Sequence, residues 1–155
     1  LLICDEPTTA LDVTIQAQIL ELIRDIRERL GTSVILITHD LGVVAQVTDK
    51  VIIMYAGKVM EYGTVRQIFT DPLHPYTAAL MRSIPVIGKK TERLNVIRGM
   101  VPSLSKRPEG CLFHPRCDEA CDLCRTVRPE LTDMPGGRQV RCHKYTDKWE
   151  ETSHD

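Results

Sequence analysis

Leu1-Leu2-Ile3-Cys4-Asp5-Glu6-Pro7 opens the chain, and Ser33-Val34-Ile35-Leu36-Ile37-Thr38-His39-Asp40 answers it further along. Each is a short apolar run that ends abruptly in polar or charged residues. Between them, Ile19, Leu22, Ile23, Ile26 and Leu30 fall at helical spacing and predict a helix over 13–30. Asp12 is placed to cap its start, and Gly31 suits the position just past its end. A strand, a helix and a strand in this order make a βαβ unit, so the two strands are expected to run parallel. Parallel strands end on the same edge of their sheet, and that edge is where open α/β sheets bind ligands. Asp5-Glu6 and His39-Asp40 are thereby predicted to meet.

The pattern extends outward from this unit. Leu41 to about Val47 reads as a short helix, and Lys50–Tyr55 with Lys58–Tyr62 as a hairpin turning at Ala56-Gly57. Thr64-x-x-Gln67 resembles a capping box opening a helix through Phe69, which Asp71-Pro72 stops. Pro75 sits where a first helical turn tolerates proline, the helix continues from Tyr76 to Ser83, and Pro85 ends it. Beyond residue 85 the composition shifts toward Pro, Gly, Arg and Cys. About 60 residues of that kind make a poor core, and small domains of this type often need a staple. Residues 146–155 read as a polar tail with Trp149 in a solvated terminus.

Composition narrows the function. Of 155 residues, 43% are hydrophobic and 26% charged, enough for a globular core. Basic residues number 20 against 21 acidic, a net charge of −1, which argues against a generic polyanion binder. No apolar run approaches the roughly 18 residues that span a bilayer. The first residues carry neither a basic n-region nor a cleavage site. They include no Met and read as a buried strand, so residues preceding Leu1 are expected in the parent protein.

The two strand ends carry catalytic residue types. An aspartate after four apolar residues suits Mg²⁺ beside bound phosphates. A neighbouring glutamate can orient an attacking water, and a histidine opposite can contact the transferring group. Singly, Asp-Glu-Pro is most often a solvated turn and His-Asp a helix cap. Their pairing on consecutive parallel strands favours a site.

Leu1 to Asp12 resembles the Walker B strand and D-loop of ABC-type ATPases, Ile37-Thr38-His39-Asp40 resembles their switch-histidine segment, and Tyr55 to Thr64 resembles the hairpin that follows. The resemblance implies an α/β fold: the C-terminal part of a P-loop ABC ATPase domain over 1–70, a parallel βαβ unit plus hairpin. It implies Asp5 as the Mg²⁺–ATP aspartate, Glu6 as the catalytic glutamate, His39 as the switch histidine, and Asp12 as a D-loop residue facing a second ATPase subunit. No G-x-x-x-x-G-K-[ST] loop and no Leu-Ser-Gly-Gly-Gln-like signature occurs in the chain. Both precede Walker B in that family, so the expectation is truncation and a chain inactive alone.

Six cysteines are many for this length, and five lie in the last 45 positions. Cys111, Cys117, Cys121, Cys124 and Cys142 are separated by x5, x3, x2 and x17. A reducing compartment disfavours a disulfide framework, and clustered thiols favour a metal centre, either Cys₄ zinc or an iron–sulfur cluster. The single C-x2-C leans toward iron–sulfur. Cys4, inside the first strand, reads as a small buried hydrophobe. His114 and His143 flank cysteines without reading as ligands, and His74 reads as a helix-start residue.

Asp71-Pro72-Leu73-His74-Pro75-Tyr76-Thr77, Arg98 to Leu104, Gly110 to Cys117 and Arg138 to Cys142 resemble the C-terminal extension of oligopeptide/dipeptide importer ATPases. This second resemblance covers about 71–145, a small irregular cysteine-rich metal-binding extension. It implies the pattern C-x5-C-x6-C-x17-C and a [4Fe–4S] cluster on Cys111, Cys117, Cys124 and Cys142, with Zn²⁺ as the alternative and Cys121 as an extra thiol. The whole implies an ATP-hydrolysing subunit of a peptide ABC importer, peripheral on the cytoplasmic face of the membrane. Its expected partners are a second ATPase subunit, two permease subunits and, indirectly, an extracytoplasmic peptide-binding protein, with no nucleic acid. A metal-binding scaffold with an inert ATPase remnant is the alternative from another class. A nucleic-acid-handling ABC ATPase fits poorly with the charge balance and the His-Pro-Tyr segment.

Overall fold

The computed structural model describes residues 1–84, 96–103, 105–147 and 149. The chain divides into two compact units, Leu1–Asp49 and Lys50–Asp155.

The first unit is the βαβ element. Strand β1 (Leu2–Asp5) pairs in parallel with β2 (Val34–Ile37), with Leu2 opposite Val34 and Asp5 opposite Ile37. Helix α1 (Val13–Leu30) connects them. The Asp12 carboxylate accepts from the backbone N–H groups of Thr14 and Ile15, both at 3.0 Å, and so satisfies donors the first turn leaves open. Gly31 closes α1 in the left-handed conformation, φ 57°. Helix α2 (Leu41–Val47) follows, capped by the Asp40 carboxylate on Gly42 N and Val43 N.

Burial in this unit departs from the expectation of a buried strand. Leu2, Cys4, Val34 and Leu36 are half-buried, whereas Ile3, Ile35 and Ile37 are exposed. Cys4 is therefore not a fully buried hydrophobe. The strict alternation is that of a sheet covered on one face, and two strands alone cannot cover both. On α1, Leu20 is buried, Ile19, Ile23 and Ile26 are half-buried, and Leu22 and Leu30 are exposed.

The second unit is built on an antiparallel sheet ordered β3-β4-β6-β5. Strands β3 (Lys50–Tyr55) and β4 (Lys58–Thr64) form the expected hairpin. Ala56 and Gly57 at its tip have φ of 46° and 75°, the positive pair that a tight turn matched to strand twist requires. Between Ile53 and Met54 the register shifts, because Met60 is an extra residue on β4. This bulge breaks the alternation, so Met60 and Glu61 are both fully buried. Helices α3 (Val65–Thr70) and α4 (Pro75–Ser83) follow, α3 with both halves of its capping box and α4 with proline in its first turn. The end assigned to Pro85 lies outside the described residues.

The extension contributes more regular structure than its composition suggests. After α5 (Asp122–Thr126), strands β5 (Thr132–Met134) and β6 (Arg138–Val140) make a second hairpin, and β6 pairs with β4. The hairpin tip is Pro135-Gly136-Gly137, with both glycines at positive φ.

Glu61 and Arg138 fasten this sheet to the segment entering α4. The Glu61 carboxylate accepts from Leu73 N at 2.8 Å, His74 N at 2.9 Å and the Arg138 guanidinium at 3.1 Å. Arg138 also donates to the Asp71 carboxylate at 2.8 Å and to the Asp71 carbonyl. Both members of the central pair are buried, so removing one strands an uncompensated charge. Glu61→Ala should destabilise the second unit by about 3–5 kcal/mol, measured by denaturant unfolding. The double change of Glu61 and Arg138 to apolar residues of similar volume should recover part of that loss.

Candidate functional site

Glu6 follows directly on β1, and its backbone N–H extends the parallel ladder by donating to the Ile37 carbonyl at 2.8 Å. That bond fixes how far Glu6 lies from the segment after β2. The turn Glu6–Ala10 then folds back, with Thr9 N donating to the Glu6 carbonyl and Leu11 N to that of Thr8. Glu6 itself has φ 45°, the left-handed region that a residue with a β-carbon enters at a cost of about 1–2 kcal/mol. Pro7 is half-buried and Thr8 buried, so the turn is held by packing as well.

The carboxylate of Glu6 is bonded on both oxygens. Oε2 accepts from the Thr9 hydroxyl at 2.9 Å, and Oε1 lies 3.2 Å from His39 Nδ1. The second contact is a hydrogen bond when Nδ1 carries the proton, which leaves Nε2 facing away from Glu6. The Thr9 hydroxyl first, and His39 second, hold the Glu6 carboxyl below its ordinary value. Glu6 is thus ionised at neutral pH and oriented by two partners from different segments, as a water-positioning base requires.

Asp5 ends β1 with its side chain exposed. Asp12 caps α1, and Asp40 caps α2. Parallel pairing has therefore brought Glu6 and His39 together, while Asp12 and Asp40 have a local structural use visible in the chain.

The second cluster lies in the other unit. Cys111, Cys117, Cys124 and Cys142 line one cavity together with His74, Phe113, His143 and Trp149. Cys111, Cys124 and Cys142 are buried. Gly110 precedes the first of them with φ 62°, and Cys111 N donates to the Cys124 carbonyl at 2.8 Å, which folds two distant cysteine segments onto each other. Burial, followed by the proximity of the other thiols, pushes the Cys142 thiol up to about 12. Burial first raises Cys124 to about 12, with Cys121 beside it adding to the rise, and burial also raises Cys111 and Cys117. The thiols are consequently protonated at neutral pH. Among the described residues, no three His, Cys, Asp or Glu side chains converge to hold a single metal ion.

Each histidine around the cavity has one ring nitrogen hydrogen-bonded within the protein. His74 caps α4, its Nδ1 accepting from Tyr76 N at 2.9 Å, and burial pushes it down to about 4, so the ring is neutral. His143 directs Nε2 at the Val127 carbonyl, 2.9 Å away, and His114 directs Nδ1 at the Cys111 carbonyl at 2.9 Å. Trp149 corrects the reading of a solvated terminus: it is half-buried and packs on the cluster of Tyr55, Met60, Leu112 and Phe113. An indole needs apolar cover more than its polar neighbours need water. The remainder of the polar tail lies outside the described residues, Asp147 and Thr146 apart.

Residues 60–124 match the family described as oligopeptide/dipeptide transporter, C-terminal region. The matched segment runs from the bulge of β4 through the third clustered thiol that lines the cavity, so it contains Glu61, the His-Pro-Tyr segment and α5.

Whole-chain relatives agree. The oligopeptide transport ATP-binding protein AppD of Bacillus subtilis is 54% identical over 153 residues, covering 99% of this chain and 47% of the relative. The dipeptide transport ATP-binding proteins DppD of Haemophilus influenzae and of Escherichia coli are 52% and 51% identical over 143 residues, 92% of this chain and 43% and 44% of theirs. The chain spans about half the length of the curated relatives it matches. Among the described residues no helix is long and apolar enough to cross a membrane.

Two buried charged residues of the second unit were not legible as a pair from the sequence. Glu61 lies in the hairpin segment and Arg138 in the Arg138–Cys142 segment, but neither segment announces their pairing, and the bulge at Met60 turns Glu61 inward. Gly110 was legible as part of a motif but not as a constraint. A β-carbon there would lie 2.4 Å from the Cys124 carbonyl oxygen and 2.7 Å from the Arg125 carbonyl carbon, both backbone atoms. Gly110→Ala should therefore cost about 2–4 kcal/mol of stability and speed alkylation of Cys111 and Cys124 in the native protein. Denaturant unfolding and timed thiol labelling check this.

Proposed function

We propose that the chain is the C-terminal part of the ATP-hydrolysing subunit of a peptide ABC import system, coupling ATP binding and hydrolysis to transport across the cytoplasmic membrane. The observation that carries it is the Glu6–His39 contact at the ends of parallel strands, at 3.2 Å. The ATP-binding relatives support the same reading. In this proposal Glu6 orients the attacking water and accepts its proton. His39, held by Glu6 through Nδ1, presents Nε2 toward the phosphate being transferred. Asp5 at the strand end would hold Mg²⁺ with the nucleotide, the ion supplying charge neutralisation for the phosphates. Asp12, beyond capping α1, would face a second ATPase subunit. Two permease subunits and an extracytoplasmic peptide-binding protein complete the assembly, with this subunit peripheral on the cytoplasmic face.

In the full-length protein, Glu6→Gln should lower ATP turnover by about 10²-fold or more while ATP stays bound. Turnover near wild type would remove Glu6 from the role of water-positioning group. Single-turnover hydrolysis with radiolabelled ATP separates the two.

For the cysteines we propose a [4Fe–4S] cluster on Cys111, Cys117, Cys124 and Cys142. The donor set supports it: these four thiols line one cavity, and Cys121 is not among its lining residues. When bound, the cluster would supply cross-linking of a segment with little apolar core, so that metal binding is folding energy. The alternative of a scaffold with an inert ATPase remnant has no separate observation in its favour. Protein purified without air should be brown and contain about four irons per chain. A colourless protein with about one zinc per chain would overturn the cluster.

A further inference from the structure

Cys121 is the clustered cysteine left over, and it lies against one of the four proposed ligands. Its sulfur is 3.6 Å from that of Cys124, a van der Waals contact. The backbone fixes the pair: Cys121 is the residue before α5, Cys124 lies in its first turn, and Cys124 N donates to the Cys121 carbonyl at 3.0 Å. None of the cysteines is in a disulfide.

We infer that Cys121 and Cys124 form a dithiol site that closes to a disulfide when the cysteine cavity holds no metal, and that closure withdraws Cys124 from the metal centre. Residues three apart in one helical turn hold their Cα atoms within the range a disulfide spans. The sulfurs then need side-chain rotation, without backbone movement, to approach from contact to about 2.05 Å. The oxidant is a low-molecular-weight disulfide such as oxidised glutathione. The half-buried Cys121 sulfur, as thiolate, attacks one glutathione sulfur and releases the other as a thiol. Cys124 then attacks the Cys121 sulfur of the mixed disulfide, forming the Cys121–Cys124 bond and releasing the second glutathione thiol. The two thiol protons leave on the two glutathione molecules, which together take up the two electrons. The consequence for the metal rests on the cluster reading given above. The bond itself does not.

The test uses the full chain, stripped of metal with chelator and reductant, desalted, and exposed to oxidised glutathione. Tandem mass spectrometry of the tryptic peptide 117–125, after alkylation, reads the result. The inference expects that peptide to be lighter by two hydrogens, with Cys117 alkylated and Cys121 and Cys124 joined, and expects Cys121→Ser to prevent it. Alkylation of both Cys121 and Cys124, or a bond from Cys124 to Cys111, Cys117 or Cys142, would overturn it. Loading with iron and sulfide is the second arm. Oxidised wild type should lose loading until dithiothreitol restores it, while glutathione-treated Cys121→Ser keeps it. Equal loading of oxidised and reduced wild type would overturn the withdrawal of Cys124. Failure of every form to load would overturn the cluster reading, with the peptide map still deciding the dithiol.

Discussion

The hydrogen bond from Glu6 N to the Ile37 carbonyl extends a parallel ladder by one residue past the end of β1, and the candidate catalytic geometry depends on that step. With Asp5 opposite Ile37, the chain leaving β1 and the chain leaving β2 emerge side by side on one edge. An antiparallel pairing of the same two segments would put Glu6 and His39 at opposite ends of the sheet. A slip of one residue would point the carboxylate to the other face. The left-handed backbone at Glu6 is the local cost of turning the chain at this point, offset by the Thr9 hydroxyl, the His39 contact and the buried Thr8. Strain of this kind collects where a side chain must be aimed rather than merely accommodated.

The second unit solves a different problem, how to hold a segment with few apolar runs. Its answer is polar. Glu61, turned inward by a bulge, gathers two backbone N–H groups and a guanidinium, and so joins β4, the entry to α4 and β6 around one carboxylate. In the same unit Tyr55, Tyr76 and Phe113 pack with ring centroids 4.8–5.4 Å apart, and Arg116 lies over the Tyr55 ring while donating to the Arg98 and Ile97 carbonyls. The cysteine cavity sits beside this aromatic group, so the thiols are held in place by contacts that do not themselves involve a metal.

Much of this was legible in the residues. Local rules located α1 and its Asp12 and Gly31 ends, the Ala56-Gly57 turn and the Thr64–Gln67 capping box, because each depends on neighbours a few positions apart. The meeting of Glu6 and His39 followed from one non-local rule, that a helical crossover makes strands parallel. What was not legible depends on long-range pairing. The β5–β6 hairpin has only three residues in each strand, too few for alternation to show, and its place beside β4 is set by Arg138 reaching Glu61 across 77 positions of sequence. The inward turn of Glu61 depends on a bulge that no residue type announces. The exposure of Ile3, Ile35 and Ile37 reflects how many strands flank them, which periodicity does not report.

The most direct test of the account is a double-mutant cycle between Glu6 and His39. ATP turnover would be compared in the full-length protein for Glu6→Gln, His39→Ala and the pair. Side chains that act as one oriented unit are non-additive, so the double variant should be scarcely slower than the slower single variant. Losses that multiply in full would show that carboxylate and imidazole act independently, and the shared strand edge would then have no functional meaning.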